Sequence, residues 1–246
     1  MVADPNKLQF DRSEKNHLSG SRFIGVIFIL IFISVLTWGG TFLSNPDTLP
    51  IKQVRVEGDF THLSPVDLQL LVTDKVRGGF FNLNVDAVRL ALLEEAWVSE
   101  VTVKRIWPDA LRVIVIEQVP VVRWKDTGLL NGKGEYFAPE LASIPSELPL
   151  LSGPKGTEVS LLAQLNSMQE RLQFLGFKIN SLTLNERRAW SFQLTNGINV
   201  VLGRRDFDER FNRFLTLIPT TISGRIDQTE SIDMRYTNGF SIKWKK

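Results

Sequence analysis

The chain has 246 residues, 43% of them hydrophobic, a formal net charge of only +2 and no cysteine. The missing thiols exclude disulfides, thiolate zinc sites and Cys nucleophiles together. The near-neutral balance, with no long run of like charge, gives no field that would steer nucleic acid or an acidic substrate.

Residues 1–22 carry Lys7, Arg12, Lys15 and Arg22 interspersed with Asp4, Asp11 and Glu14, and lack sustained apolar periodicity, so they are read as a flexible tail. Phe23 to Leu43 then runs without a single charge. At ~1.5 Å per helical residue it reaches about 30 Å, the thickness of a bilayer's hydrocarbon core. It is too long for the apolar region of a signal peptide and no small-residue cleavage site follows, so residues 23–43 are expected to be an uncleaved transmembrane helix. The first basic residue beyond the span is Lys52. That bias places the tail in the cytoplasm and the rest of the chain outside. Trp38 suits the headgroup level or a helix contact equally well.

Residues 44–50, polar and proline-containing, form a linker that ends the helix. Val54 and Val56 alternate with Arg55 and Glu57 in a half-buried strand ended by Gly58. Ser64-Pro65 starts a short helix, with a capping hydroxyl and proline at the first helical position. Gly78-Gly79 has neither dinucleotide-binding nor P-loop spacing and is a plain turn. Asn84 caps a second helix whose stripe is Val85, Val88, Leu92 and Leu93. Two strands joined at Pro108-Asp109 follow; in the second, Leu111, Val113 and Val115 share one face and Ile114 and Ile116 the other, which predicts an interior strand buried on both sides.

Beyond Trp124, Leu129 to Phe137 reads as a hairpin around a glycine-rich turn. From Glu158 to Leu175, Val159, Leu162, Leu165, Met168, Leu172 and Leu175 recur at helical spacing, with Gly176 as the stop. Three strands follow, and Asn196-Gly197 is the strongest hairpin signal in the chain. Asp206 is expected to cap a helix that buries Phe207, Phe211, Phe214, Leu215 and Ile218 and ends at Pro219. A last strand pair flanks Thr237-Asn238-Gly239.

Catalytic chemistry finds little to work with. Outside the tail the one histidine is His62, so neither a His-based metal cluster nor a His/Cys relay can be assembled, and no enzyme, metal or cofactor is expected. A carboxylate pair acting on glycans stays formally open, although the acids are scattered. Arg204-Arg205 beside Asp206 could hold an anion at a helix start or form a solvated turn.

The stretch from Val54 to Trp124, with VRVEG, FFNLN, WVSEVTVKRIWPDALRVIVIE and QVPVVRW, resembles the POTRA domain of the FtsQ/DivIB family of cell-division proteins. Ala96 stands where that family commonly has proline before the tryptophan. The resemblance covers essentially the whole chain and implies an α+β fold: one N-terminal transmembrane helix, a β-α-α-β-β POTRA domain over 51–120, and a mostly antiparallel β domain with flanking helices over 121–246. It implies a divisome scaffold of the bacterial inner membrane, with periplasmic domains at the septum, binding FtsB together with FtsL and contacting FtsK and FtsW. Less well supported alternatives are a POTRA-bearing secretion or assembly component and a peptidoglycan-active enzyme.

Carried over by motif, the FtsB-binding positions are Arg187, Arg235, Tyr236, Asn238, Gly239 and Trp244, with Asn238 in place of a serine. Glu100, Val103 and Arg105 match positions implicated in contacts of the POTRA half. The residues by themselves admit a second account. Phe240, Ile242 and Trp244 also describe a terminal strand covering its own core, Val103 a core valine, and Arg187 a solvated charge.

Overall fold

The computed structural model describes residues 17–44, 48–76, 78–237 and 239–245. The cationic tail residues Lys7, Arg12 and Lys15, and Asn238, lie outside the described residues. Two compact units emerge: Met1–Glu57 with Leu68–Ala91 and Thr102–Ile114, and Gly58–Asp67 with Leu92–Val101 and Val115–Lys246.

Helix α1 (His17–Ser44) begins six residues ahead of the expected span. Its apolar stretch Ile24–Phe42 is long enough to cross a membrane and none of it is buried in the protein. Two threonine hydroxyls within it are satisfied internally, Thr37 donating to the Ile33 carbonyl and Thr41 to that of Trp38, which suits a lipid environment.

Strand β1 (Gln53–Glu57), helices α2 (Pro65–Lys75) and α3 (Val85–Leu93), and strands β2 (Val98–Ile106) and β3 (Ala110–Glu117) follow in the expected βααββ order. The strands form a sheet in the order β1-β3-β2, with β1 parallel to β3. Both helix starts are capped as the sequence predicts: Ser64 Oγ accepts from the Asp67 N–H at 3.3 Å and Asn84 Oδ1 from the Ala87 N–H at 3.0 Å. Leu68, Val72, Val88, Leu111 and Val113 are buried in the first unit. β3 is central in the sheet but buried on one face alone. Ile114 is half-buried and Ile116 is 52% exposed, so the expectation of a doubly covered strand fails. A run of β-branched residues marks strand propensity as readily as burial.

The second unit holds a nine-stranded sheet. It is built from β4 (Pro120–Trp124), β5 (Gly128–Asn131), β6 (Tyr136–Phe137), β7 (Leu150–Ser152), β8 (Ile179–Leu184), β9 (Trp190–Leu194), β10 (Asn199–Gly203), β11 (Thr229–Asp233) and β12 (Ser241–Trp244). Their spatial order is β12-β11-β10-β9-β8-β7-β4-β5-β6. Five neighbouring pairs are antiparallel. The pairs β4/β7, β7/β8 and β10/β11 are parallel. Two of these are forced by helical crossovers, α4 (Glu158–Gln173) returning the chain from β7 to β8 and α5 (Phe207–Leu217) from β10 to β11.

Both helices deliver side chains to one core: Leu161, Leu165, Met168 and Leu172 from α4, and Phe211 and Phe214 from α5, against Leu182, Phe192, Val200, Leu202 and Ile232 of the strands. Burying each of the larger apolar side chains contributes ~1.5–3 kcal/mol.

Three local expectations are corrected here. Val159 is 63% exposed and Leu161 is buried in its place, because the buried stripe of α4 starts one turn position later. Asp206 precedes α5 in the left-handed conformation (φ 54°) without a side-chain capping bond; its carboxylate lies 3.7 Å from Arg210 instead. Pro219 does not stop the chain's helical course. α5 passes into a π-helical turn, Ile218–Ile222, and then a 3₁₀ segment, Ser223–Gln228. The wider turn accommodates the proline ring, and the Thr220 hydroxyl bonds back to the Thr216 carbonyl.

Candidate protein-interaction surfaces

β12 is the terminal strand of the nine-stranded sheet. Among the described residues it pairs with β11 alone, through Asp233↔Ser241, Ile232↔Ile242, Ser231↔Lys243 and Thr229↔Trp244. Beyond the strand, the Lys245 N–H donates to the Gln228 carbonyl at 2.7 Å. Period-two alternation then turns the N–H groups of residues 241, 243 and 245 inward and those of Ile242 and Trp244 outward. An outer row of main-chain donors and acceptors is what strand addition requires. Ile242 is half-buried, while Phe240 and Trp244 are each 39% exposed. The Arg225 guanidinium lies 5.8 Å from the Trp244 ring centroid.

Arg235 and Tyr236 fall just after β11, in the connection to β12 and not within the strand. That connection is held by three groups the motif reading passed over. Asp233 Oδ1 accepts the Arg235 N–H at 3.0 Å, and its carboxylate pairs with the Arg235 guanidinium at 2.6 Å. The Arg235 guanidinium holds the Asp233 carboxyl below the ordinary carboxylate range, against an opposing push from partial burial. Arg213 of α5 reaches across to donate to the carbonyls of Tyr236 at 3.0 Å and Gly239 at 3.3 Å. Gly203, at φ +80°, lets the Arg235 stem pass: a Cβ there would stand 3.0 Å from Arg235 Cγ and 2.9 Å from Arg210 Nη1. Asp233 and Gly203 carried a signal in sequence, as a turn residue and a glycine ending a strand; Arg213 looked like one more charge on a helix.

Arg187 lies in the β8–β9 turn, where Asn185 Oδ1 accepts the N–H groups of Arg187 and Ala189 and Arg188 takes a left-handed conformation (φ 61°). The pairings Trp190↔Gly203, Val201↔Asp233 and Asp233↔Ser241 put this turn and the 235–240 connection at the same end of the sheet. Trp244 stands at the other end of β12, opposite Thr229.

On β2, Glu100 is paired with Lys133 at 3.2 Å, Val103 is half-buried, and Arg105 donates to the Leu83 carbonyl at 2.6 Å. His62 is exposed but held in place by its neighbours. Its ring stacks on Trp97 at 3.7 Å with planes 1° apart, and Nδ1 lies 2.6 Å from Glu117 Oε1. Burial pushes the Glu117 carboxyl up, but the N–H of Thr61, the His62 ring and the N–H groups of His62 and Leu63 outweigh it, so it sits below the ordinary range. Among the described residues no group of three or more His, Cys, Asp or Glu is placed to hold a metal.

An N-terminal helix long and apolar enough to cross a membrane, a βααββ unit and a larger mixed sheet with an open edge fit a single-pass membrane protein of the POTRA-bearing class. The family model for the FtsQ-type POTRA domain matches residues 49–118, and that for the C-terminal part of cell division protein FtsQ/DivIB matches 122–235. The cell division protein FtsQ of Coxiella burnetii is 37% identical over 220 residues, covering 89% of this chain and 90% of that protein. Those of Shewanella oneidensis and Methylomonas methanica are 36% identical over 242 residues and 31% over 222, covering 95% and 89% of this chain and 90% and 89% of theirs. The chain belongs to the FtsQ/DivIB family of cell-division proteins.

Proposed function

We propose that this protein is a non-enzymatic scaffold of the divisome, anchored in the bacterial inner membrane by α1, with its amino terminus in the cytoplasm and residues 51–120 and 121–246 as two periplasmic interaction domains at the septum. The matched ranges 49–118 and 122–235 support that division of the chain. The second domain binds FtsB, itself paired with FtsL, by adding a strand to β12. Arg187, Arg235, Tyr236, Asn238, Gly239 and Trp244 contribute to that site. The first domain contacts other division proteins, FtsK and FtsW among them, through β2 at Glu100, Val103 and Arg105. Holding these partners together couples recruitment to control of septal wall synthesis.

The observation that carries this reading is β12 itself, a terminal strand whose outer edge is unpaired among the described residues, with an exposed aromatic at each end of its apolar row. Each main-chain bond to an incoming strand contributes ~0.5–1.5 kcal/mol net, and a buried aromatic anchor ~2 kcal/mol or more. The test is binding of the full chain in nanodiscs to FtsB fused to FtsL. Saturable binding that Tyr236→Ala and Trp244→Ala each weaken about thirtyfold, with unchanged unfolding midpoints, is the expected result. A folded wild-type protein that does not bind sinks the assignment.

A further inference from the structure

Three segments of the first unit meet at one end of the three-stranded sheet. The Phe80 N–H donates to the Leu49 carbonyl at 2.8 Å, and Pro50 bridges Gly79. The Lys52 N–H donates to the Asp109 carbonyl at 2.8 Å, beside the β2–β3 turn. Arg105 is bonded to the Leu83 carbonyl. Residues 49–52, 79–83 and 105–109 are therefore one surface, and it displays apolar groups that the protein does not cover. Trp107 is 74% exposed, Phe81 50% and Ile106 43%.

Covalent geometry keeps this surface near the end of α1. Ser44 closes the helix and Leu49 is already bonded to Phe80, so five residue steps separate them, a reach of at most about 18 Å. Charge follows the same division. Between residues 51 and 120, the segments belonging to the first unit hold eight Lys or Arg against four Asp or Glu, and the remaining segments hold six Asp or Glu and no Lys or Arg.

We propose that this end of the sheet docks on an anionic lipid surface, with Trp107 and Phe81 seated at the headgroup level and two exposed lysines facing lipid phosphates: Lys104, next to Arg105 on β2, and Lys52, whose pair with Asp109 at 3.6 Å is open to solvent. Indole and phenyl rings next to cations are the side chains that partition to that level, and a basic surface gains from anionic lipid within a Debye length. The proposal rests on reading α1 as a membrane span. Docking would fix the distance and tilt of the sheet relative to the bilayer, which a tether alone leaves free.

The absence of cysteine allows single-site labelling of the full chain. A fluorophore is attached at Phe81→Cys, at Phe174→Cys as an equally apolar exposed control (82% exposed), or at Ser34→Cys within the span. Each protein is reconstituted into phosphatidylethanolamine/phosphatidylglycerol vesicles carrying lipid-borne quenchers at headgroup or mid-chain depth. The expected result is headgroup-depth quenching at position 81 well above that at 174. Trp107→Ala reduces it, and Lys104→Gln lowers the docked-to-undocked ratio about fivefold. Quenching at 81 no greater than at 174, with position 34 quenched at mid-chain depth, overturns the proposal and leaves the span intact. An unquenched position 34 overturns the span and the proposal together. Equal quenching at 81 in phosphatidylcholine overturns the choice of an anionic surface.

Discussion

The guanidinium of Arg213 donates to the carbonyl oxygen of Tyr236 at 3.0 Å, tying helix α5 to the connection that launches the edge strand. A second bond to Gly239 brackets that connection from the same side chain, which is also paired with Glu209 at 2.8 Å. The shape of the proposed binding edge is thus set by a residue that need not touch the partner.

Arg213→Ala removes both carbonyl bonds together with the exposed pair to Glu209. We expect a stability loss of about 1–2 kcal/mol and weaker FtsB–FtsL binding, with the strand still formed. Denaturant midpoints combined with a binding isotherm check both. Unchanged affinity would show that the connection keeps its shape without the clamp.

The outward N–H of Trp244 separates main-chain pairing from aromatic contact. Trp244→Ala removes the ring, whereas Trp244→Pro removes the ring and an outward donor while leaving the inward bonds to β11. Under strand addition, proline weakens binding a further two- to tenfold relative to alanine. Lys243→Pro is the internal contrast: it strikes an inward N–H and destabilises the fold itself.

Gly203→Ala places a Cβ on a residue at φ +80° and against the Arg235 and Arg210 side chains. The left-handed conformation alone costs about 1–2 kcal/mol, and the displaced Arg235 loosens its pair with Asp233. A lower melting temperature together with reduced partner affinity is the expected pair of results. Thermal unfolding and calorimetry read them.

Glu117 gives the stability a pH dependence of known sign. Its folded pKa lies below the ordinary Glu value, so its contribution is complete above that value, near 4.3 in an unfolded chain, and is lost as pH falls through the folded pKa. Glu117→Gln removes this acid-side loss and destabilises the protein at neutral pH, because the Thr61 and His62 N–H groups then face a neutral amide oxygen. Denaturant midpoints between pH 3 and 7 for the two proteins should converge towards the acid end. Parallel curves would place the acid sensitivity elsewhere.

Much of the architecture was legible because it rests on local periodicity. The uncharged run from Phe23, the alternation around Val54, the caps at Ser64 and Asn84, and Asn196-Gly197 each follow from forces between near neighbours. The misreadings share one cause. Ile116, Val159 and Pro219 have the right chemistry for the roles first given them, but their burial or course depends on what stands opposite, and a one-dimensional pattern does not contain that. The family motif likewise picked out Arg235 and Tyr236 without revealing that both lie past the end of β11.

By itself, then, the sequence determined the apolar helix of membrane-crossing length, the βααββ order, the helices and strands that follow, and membership of a cell-division family. Their determinants are hydropathy, side-chain period and short motifs, all written along the chain. Only the tertiary structure decided that β12 is the outermost strand, that α4 and α5 impose parallel pairs within the sheet, and that Arg213, Asp233 and Gly203 shape the proposed binding edge. It also gathered Phe81 and Trp107 at one end of the smaller sheet. Such relations are contacts between residues far apart in the chain, fixed by which strand finds which neighbour once the apolar faces are buried.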